Sequence, residues 1–246
     1  MKKMFTILVL VLTMVGCFGL VFSMTNNFEN SKPTSTEINF ENLSYIAFGD
    51  SITYGYDFTD GGRLDTPYPK KVGEILNLKA VSNMGENSAT FVANEPTTPN
   101  KTADILSYKG TADIISVLLG VNDFGYNLPL GNINSKDNTT IYGSLHLIAE
   151  KLSTKQFENS YIFFMTPMPW ESPFVVNSQG YTLVDVCSAI KHTANKYGFD
   201  VLDLYNTSGF EEEISSGIGD KLHPSQNFVN EKLAPKIAKF IKDNIN

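Results

Sequence analysis

Short apolar runs recur along most of the chain and predict its strands. Five of them lack a strict alternation of apolar and polar residues, which is typical of strands buried on both faces of a sheet. The runs are LSYIAF (43–48), KAVSNM (79–84), DIISVLLG (113–120), YIFFMTP (161–167) and FDVLDLY (199–205). Stretches with helical spacing separate or follow them, at 68–76, about 101–108, 140–152, 181–197 and 226–245. This alternation predicts an α/β fold in which helices cover both faces of a mainly parallel five-stranded sheet.

No internal repeat or linker interrupts residues 43–246, so we expect one domain there, preceded by two different segments. Residues 1–24 have a basic start and an apolar run, which indicates a secretory leader, a lipoprotein leader or an N-terminal anchor. Lipidation at Cys17, cleavage after Ser23 and retention as an uncleaved anchor all remain open. Residues 25–42 are polar and predict a tether. Each of the three alternatives places the domain outside the cytoplasmic membrane.

The composition excludes some classes of partner. The formal net charge is −7, Arg63 is the only arginine, and the lysines are scattered. Nucleic acid is therefore not an expected partner. The chain has two cysteines, Cys17 and Cys187, so the domain has no disulfide framework, and we expect Cys187 to be a core residue. No group of cysteines and histidines has metal-ligand spacing, so we expect no structural zinc.

Polar residues follow the apolar runs at the positions where a parallel sheet binds ligands. In open parallel sheets, ligands lie beyond the carboxyl ends of the strands. GDS (49–51) follows the first run, GENS (85–88) the second and GVND (120–123) the third, while GDKLHPS (219–225) follows the fifth after a longer loop. The sequence therefore predicts a site at this edge of the sheet.

Within these polar segments, three residue types could form a nucleophilic site. A serine hydroxyl needs an adjacent base, and that base needs an acid to orient it. His146 and His192 lie in helical patterns and are expected to be structural. His223 lies in a loop, and Asp220 precedes it by three residues, so one short segment could supply both base and acid to Ser51. The alternative is ordinary turn chemistry around Ser51 and a helix cap at Asp220 and His223.

Acyl transfer also needs hydrogen-bond donors for the oxyanion that forms during the reaction. The candidates are the Ser51 N–H, the Gly85 N–H and the Asn122 side chain. Gly85 could instead only permit a tight turn, and Asn122 could be a loop residue. Asp123 is an alternative acid, but a carboxylate beside an oxyanion donor would oppose the developing charge, so we expect Asp123 to brace the loop.

The four blocks together resemble the SGNH hydrolase family, also called GDSL-type esterases and lipases, over about residues 44–240. FGDSITYG carries Ile52 where the older motif has Leu. The resemblance implies a flavodoxin-like three-layer α/β/α sandwich and ester hydrolysis without metal or cofactor. It also implies that Ser51 is the nucleophile, His223 the base and Asp220 the acid, with an oxyanion hole formed by Ser51, Gly85 and Asn122.

The substrate is predicted less directly. No long apolar lid is evident, so we expect short-chain acyl or acetyl esters, either small molecules or esters linked to glycans. The alternatives are a lipase, lysophospholipase or thioesterase on the same triad, and a non-catalytic surface glycan-binding module. Apolar and aromatic residues after the third and fourth runs could line the pocket or only cover the core: Phe124, Tyr126, Leu128, Leu130 and Trp170.

Overall fold

Five parallel strands form the sheet of the computed structural model, which describes residues 38–94, 98–170, 174–217 and 219–245. Cys17, the predicted leader and most of the predicted tether lie outside these ranges. In chain order the strands are β1 (Ser44–Gly49), β2 (Ala80–Gly85), β3 (Ile114–Leu118), β4 (Tyr161–Met165) and β5 (Asp200–Leu202). Their spatial order is β2-β1-β3-β4-β5. All five predicted strands are confirmed.

Helices connect the strands. They are α1 (Ser51–Tyr54), α2 (Tyr68–Leu76), α3 (Lys101–Ser107), α4 (Val121–Gly125), α5 (Ile141–Leu152), α6 (Leu183–Lys196), α7 (Leu204–Thr207) and α8 (Phe210–Ser216). The last helical region comprises α9 (Gln226–Phe228), a π-helical turn (Val229–Leu233) and α10 (Ala234–Asn244). The α2 helix packs against α10, whereas α5 contacts α3 and α6. The result is the predicted three-layer α/β/α sandwich.

The strands differ in burial because of their place in the sheet. Every residue of β3 is buried, as expected for a central strand covered on both faces. The edge strand β2 alternates between exposed and half-buried residues, so the prediction of burial on both faces is wrong for this strand. Its place at the edge leaves one side without a neighbouring strand, and it still supplies the loop that reaches the candidate site.

The remaining structural predictions concern single residues. Cys187 is buried on α6, and burial raises the pKa of its thiol to about 12. His146 is also buried, and its Nε2 lies 2.8 Å from the Ile133 carbonyl oxygen. The short 3₁₀ helix Phe40–Asn42 packs against the core through Phe40, so the folded region extends into the predicted tether. Among the described residues, no helix is long and apolar enough to cross a membrane.

Gly49 ends β1 at a point where a side chain would not fit. A Cβ atom at this position would lie 1.9 Å from the Thr53 hydroxyl oxygen and 2.7 Å from the Leu118 carbonyl oxygen. The glycine therefore lets the chain turn from β1 into α1 while β3 packs alongside. This close approach brings the next two residues, Asp50 and Ser51, to the rim of the sheet.

We expect Gly49→Ala to lower the free energy of unfolding by about 1–3 kcal/mol, because inserting a methyl group into a packed interior forces neighbouring atoms to move. Chemical denaturation measures the change. Gly125→Ala is the control, since a Cβ there would meet the Trp170 ring at an ordinary 3.5 Å. Equal stability of Gly49→Ala and the parent protein would contradict the account of this turn.

Candidate active site

Ser51 is the first residue of α1, directly after the carboxyl end of β1. The Asp50 side chain caps the helix by accepting a hydrogen bond from the Ile52 N–H at 3.0 Å. Because the N–H groups of a first helical turn have no acceptor within the helix, the Ser51 N–H is available to a ligand. Only 6% of Ser51 is exposed, and that fraction faces a cavity.

Side chains from two other elements fix α1 in place. The Asn83 amide of β2 donates to the Thr53 carbonyl oxygen at 2.7 Å. The Thr53 hydroxyl lies 3.1 Å from the Tyr68 hydroxyl of α2, and both side chains are buried. The single turn that carries Ser51 is therefore held by the sheet and by the neighbouring helix.

His223 lies between Ser51 and Asp220. Its Nε2 atom is 2.8 Å from the Ser51 hydroxyl oxygen, and its Nδ1 atom is 2.6 Å from Asp220 Oδ2. An ionised carboxylate can only accept a hydrogen bond, so Nδ1 carries the proton in the neutral ring. Nε2 is then left with a lone pair that accepts the Ser51 hydroxyl proton. The structure thus brings Ser51 together with a pair of residues, Asp220 and His223, that lie far from it in the sequence.

The turn from Asp220 to His223 orients both side chains. Asp220 Oδ1 accepts hydrogen bonds from the Leu222 and His223 N–H groups at 3.0 and 2.8 Å. Partial burial alone would raise the pKa of Asp220, but the hydrogen bonds from the backbone and from the imidazole lower this pKa below its usual value. Lys221, inside the turn, has a φ of 66°, a conformation uncommon for a residue with a side chain.

Tyr56 also contacts His223, although sequence reasoning missed it. The two ring centroids are 4.6 Å apart, with an interplanar angle of 54°. Two residues later, Phe58 packs over Gly219, where an added Cβ would lie 3.0 Å from the phenyl ring. The segment after α1 therefore covers the turn that carries His223. The only sequence signal was the position of Tyr56, five residues after Ser51.

Ser51 and His223 open onto a cavity of about 530 Å³. Tyr126 and Trp170, which the sequence predicted for the pocket, both line it. Five further side chains line the wall without having been predicted, although most belong to the four polar segments after the strands. They are Tyr56, Asn87, Ser88, Val121 and Leu222.

Phe124 and Leu128 do not line this cavity, so their prediction as pocket residues is wrong. They are 5% and 7% exposed and belong to the core. On the short helix α4, Val121, Asn122 and Gly125 line the cavity, whereas Phe124 is packed in the core. Its ring contacts Trp170 edge to face at 6.0 Å and so supports the cavity wall from behind. Leu130 is partly buried against the core.

Asn122 has the position expected of an oxyanion donor. It lies at the start of α4 and lines the cavity with Ser51. Its amide nitrogen donates one hydrogen bond, at 2.9 Å, to the Ala89 carbonyl oxygen. A side-chain amide carries two hydrogens, so one is left for a ligand while the other fixes the orientation of the group.

Gly85 differs from the prediction. Its N–H donates to Asn83 Oδ1 at 2.9 Å and is therefore occupied, and Gly85 lines neighbouring cavities but not the one that contains Ser51. An added Cβ would lie 2.1 Å from the Tyr54 nitrogen. The geometry favours the alternative reading, in which the glycine permits a close approach of β2 to α1.

Two buried carboxyl groups, Asp50 and Asp123, adjoin Ser51 and Asn122 of the cavity in the sequence. Asp123 accepts hydrogen bonds from the Phe91 and Val92 N–H groups at 3.0 and 3.1 Å, so it braces this loop as expected. Burial raises the pKa of Asp50 and of Asp123 to about 7 in each case, against the lowering effect of their backbone hydrogen bonds. Both groups thus hold a proton more readily than an exposed aspartate does. Within the described ranges, no group of histidine, cysteine and acidic side chains could hold a metal ion.

A hydroxyl, an imidazole and a carboxylate in hydrogen-bonded series are the arrangement that activates a serine for attack on a carbonyl carbon. The chain belongs to the GDSL-like Lipase/Acylhydrolase family, whose profile matches residues 47–227. Membership of this family supports hydrolase activity, with ester hydrolysis as its general chemistry. No curated protein is detectably similar to the chain in sequence.

Solved structures share this fold. A protein from Lactobacillus plantarum is 24% identical, with coverage of 83% of this chain and 99% of that one and a TM-score of 0.71. A possible lipase from Chitinophaga pinensis is 24% identical, with coverage of 82% and 98% and a TM-score of 0.65. A carbohydrate acetylesterase family member from Sinorhizobium meliloti is 19% identical, with coverage of 81% and 99% and a TM-score of 0.54. At these identities the likeness establishes the fold alone.

The raised pKa values of Asp50 and Asp123 predict how stability depends on pH. Between about pH 4 and pH 7, the folded state binds more protons than the unfolded state, in which an aspartate has a pKa of about 3.9. The stabilisation is present below the unfolded value and is lost as the pH rises through the folded value. We therefore expect a larger free energy of unfolding at pH 5 than at pH 8.

Asp50→Asn should reduce the difference in the free energy of unfolding between pH 5 and pH 8, because asparagine does not ionise and still caps a helix. Urea denaturation across the pH range measures it, and Asp65→Asn, at an exposed position, is the control. The lowered pKa of Asp220 has the opposite effect on the free energy of unfolding, which it increases as the pH rises. This effect falls at pH values below the window of Asp50 and Asp123. A free energy of unfolding that stays constant or rises from pH 5 to pH 8 would contradict the prediction.

Proposed function

We propose that this protein is an extracytoplasmic serine esterase that hydrolyses short-chain carboxylic esters, including acetyl esters, through an acyl-enzyme. The observation that carries the proposal is the series of hydrogen bonds from Ser51 through His223 to Asp220, at 2.8 and 2.6 Å. A binding module would not need a serine hydroxyl, a base and an orienting acid in line.

In the first half of the reaction, the Ser51 hydroxyl oxygen attacks the ester carbonyl carbon while His223 Nε2 takes the hydroxyl proton. The carbonyl oxygen becomes an oxyanion, and the Asn122 amide and the Ser51 N–H donate hydrogen bonds to it. The carbon–oxygen bond to the leaving group then breaks, His223 returns its proton to the departing alcohol, and the acyl group remains on Ser51.

In the second half, water replaces the alcohol. His223 takes a proton from a water molecule while the water oxygen attacks the acyl carbon. In the resulting intermediate, the bond between the acyl carbon and the Ser51 oxygen then breaks. The serine oxygen regains the proton from His223, and the carboxylic acid leaves. Asp220 holds the ring and stabilises its positive charge in both halves without taking the proton itself.

The shape of the cavity favours a short acyl group. Phe124 and Leu128, which could have extended an apolar slot, are packed in the core. The remaining wall combines the apolar side chains of Val121 and Trp170 with the polar side chain of Asn87. A long acyl chain would leave polar groups without partners, which is unfavourable. The fold is shared with the carbohydrate acetylesterase family member named above, which agrees with an acetyl ester as substrate.

The extracytoplasmic location rests on the sequence of residues 1–24, where a basic start precedes an apolar run. Fractionation of the producing cells tests it. We expect the protein in the medium or on the outer face of the cytoplasmic membrane, and recovery entirely from the cytosol would contradict this part of the proposal.

Replacement of Ser51 tests the nucleophile. Ser51→Ala should abolish the hydrolysis of p-nitrophenyl acetate, and a fluorophosphonate should label the parent protein at Ser51, because only an activated serine displaces the fluoride. Ser188→Ala is the control, since the exposed Ser188 hydroxyl of α6 donates only to the Val184 carbonyl oxygen. Peptide mapping locates the label. Labelling at another serine, or undiminished turnover by Ser51→Ala, would refute the proposal.

Replacement of Asn122 tests the oxyanion donor. Loss of one preorganised donor costs about 10²–10³ in kcat, so Asn122→Ala should slow hydrolysis by that factor with little change in KM. The variant also loses the hydrogen bond to Ala89, so the melting temperature is measured alongside the rate.

Asn177→Ala is the matched control, because Asn177 donates to the Phe124 carbonyl oxygen at 3.2 Å and does not line the cavity. It should lose stability and keep its rate. If Asn122→Ala has a kcat per folded molecule within about twofold of the parent, Asn122 is not an oxyanion donor.

A further inference from the structure

A second cavity adjoins the one that contains Ser51. It has a volume of about 550 Å³ and shares Asn87, Ser88 and Tyr126 with the first cavity. Beyond these shared residues, its wall includes Tyr54 and Thr98. The three shared residues therefore form a ridge with one cavity on each side. No step of the proposed reaction uses the second cavity.

The ridge carries polar side chains that the protein itself does not satisfy. The side chains of Asn87 and Ser88 are exposed, and Thr98 beside them is half-buried. None of the three makes a side-chain hydrogen bond to another described residue. The aromatic side chain of Tyr126 is 44% exposed on the same ridge. Donors, acceptors and an aromatic face are thus presented together to a ligand.

The backbone under this ridge is firmly held. Glu86 donates its N–H to the Gly49 carbonyl oxygen at 3.1 Å, and its carboxylate accepts from the Lys101 ammonium at 2.7 Å. The Lys101 side chain is only 4% exposed and also contacts Asp104 at 2.7 Å. Ser88 has a φ of 63°, which is uncommon outside glycine. Such supporting contacts fix the position of the unpaired side chains before a ligand arrives.

A third cavity continues the series toward the edge of the sheet. It has a volume of about 520 Å³, shares Gly85 and Glu86 with the second cavity, and lies along the edge strand β2. Three cavities in series, each sharing residues with the next, make a path that leads away from Ser51. A small ester would fill only the first cavity, so the path fits an elongated substrate.

We propose that the second cavity binds the carbohydrate chain of a neutral polysaccharide whose ester group lies at Ser51. This inference rests on the proposed esterase function. Sugar hydroxyls pair with unsatisfied amide and hydroxyl groups such as those of Asn87 and Thr98, and the apolar face of a sugar ring packs on a tyrosine ring.

Two other classes of elongated ligand fit this cavity less well. A lipid acyl chain would bury the polar side chains of the ridge without partners. A polyanion would find no lysine or arginine among the described residues that line this cavity. The nearby cations are already paired, since Arg63 donates to the Tyr54 carbonyl oxygen and Lys101 is bound to Glu86 and Asp104.

The experiment compares kcat/KM for partially O-acetylated oligosaccharides of one to six units, made on cello-, xylo- and chito-oligosaccharide backbones. Binding energy from units remote from the reacting ester lowers the barrier, so kcat/KM should rise about tenfold or more with chain length on at least one backbone. Hydrolysis of p-nitrophenyl acetate is measured in parallel. If the parent protein does not hydrolyse p-nitrophenyl acetate, the proposed esterase function is refuted. If it hydrolyses this ester but kcat/KM does not rise with oligosaccharide length, only the second binding site is refuted.

Thr98→Trp should fill the second cavity. In this variant, the kcat/KM for six units should be nearly equal to the kcat/KM for one unit. Thr98→Arg fills the same space with a more flexible side chain and should act alike. Asn159→Trp is the control, because Asn159 is exposed in the loop before β4, at the opposite end of the strands. The control should keep the chain-length ratio of the parent.

Two outcomes would contradict the proposal, either on the location of the carbohydrate site or on the class of ligand that it binds. One is a chain-length gain that persists undiminished in both Thr98 variants. The other is a selective loss, in those variants, of activity on p-nitrophenyl esters with eight to twelve acyl carbons relative to acetate, since this would show that the cavity holds an acyl chain.

Discussion

The imidazole of His223 is held between the Asp220 carboxylate and the Ser51 hydroxyl, and the proposed chemistry depends on this pair of hydrogen bonds. The bond to Asp220 forms within one turn, whereas the bond to Ser51 joins residues 172 positions apart. The second bond therefore requires the whole sandwich to fold, so that the end of β1 and the loop before α9 meet at one edge of the sheet. In this structure, the position of His223 beside Ser51 is a consequence of the topology.

Packing around α1 serves the same geometry. Gly49 lets the chain turn closely past β3, Gly85 lets β2 approach the helix, and Asn83 and Thr53 join the two elements by a hydrogen bond. Buried Asp50 caps the helix immediately before Ser51. Burial raises the pKa of Asp50 to about 7, so in the proposed reaction this acid places less negative charge beside Ser51 than an exposed aspartate would.

The sequence predicted those features that depend on burial and on the order of strands. Apolar runs located all five strands, and the rule for the ends of parallel strands brought Ser51 and His223 to one edge. The pocket wall was harder to predict because α4 is a single short helix, and periodicity over five residues does not decide which side Phe124 faces. Tyr56 lies in an irregular segment with no pattern to show that it would reach His223. The N–H of Gly85 could not be assigned either, because its hydrogen bond to Asn83 is set by a side-chain rotamer.

The central claim is that Asp220, and not the buried Asp123, orients the base. The most direct test is the kcat of Asp220→Ala and of Asp123→Ala on p-nitrophenyl acetate, each divided by the amount of folded protein. We expect Asp220→Ala to lose on the order of 10²–10⁴ in kcat with little change in KM. We expect Asp123→Ala mainly to lose stability, because the Phe91 and Val92 N–H groups lose their acceptor. A greater loss of kcat per folded molecule in Asp123→Ala than in Asp220→Ala would contradict the account.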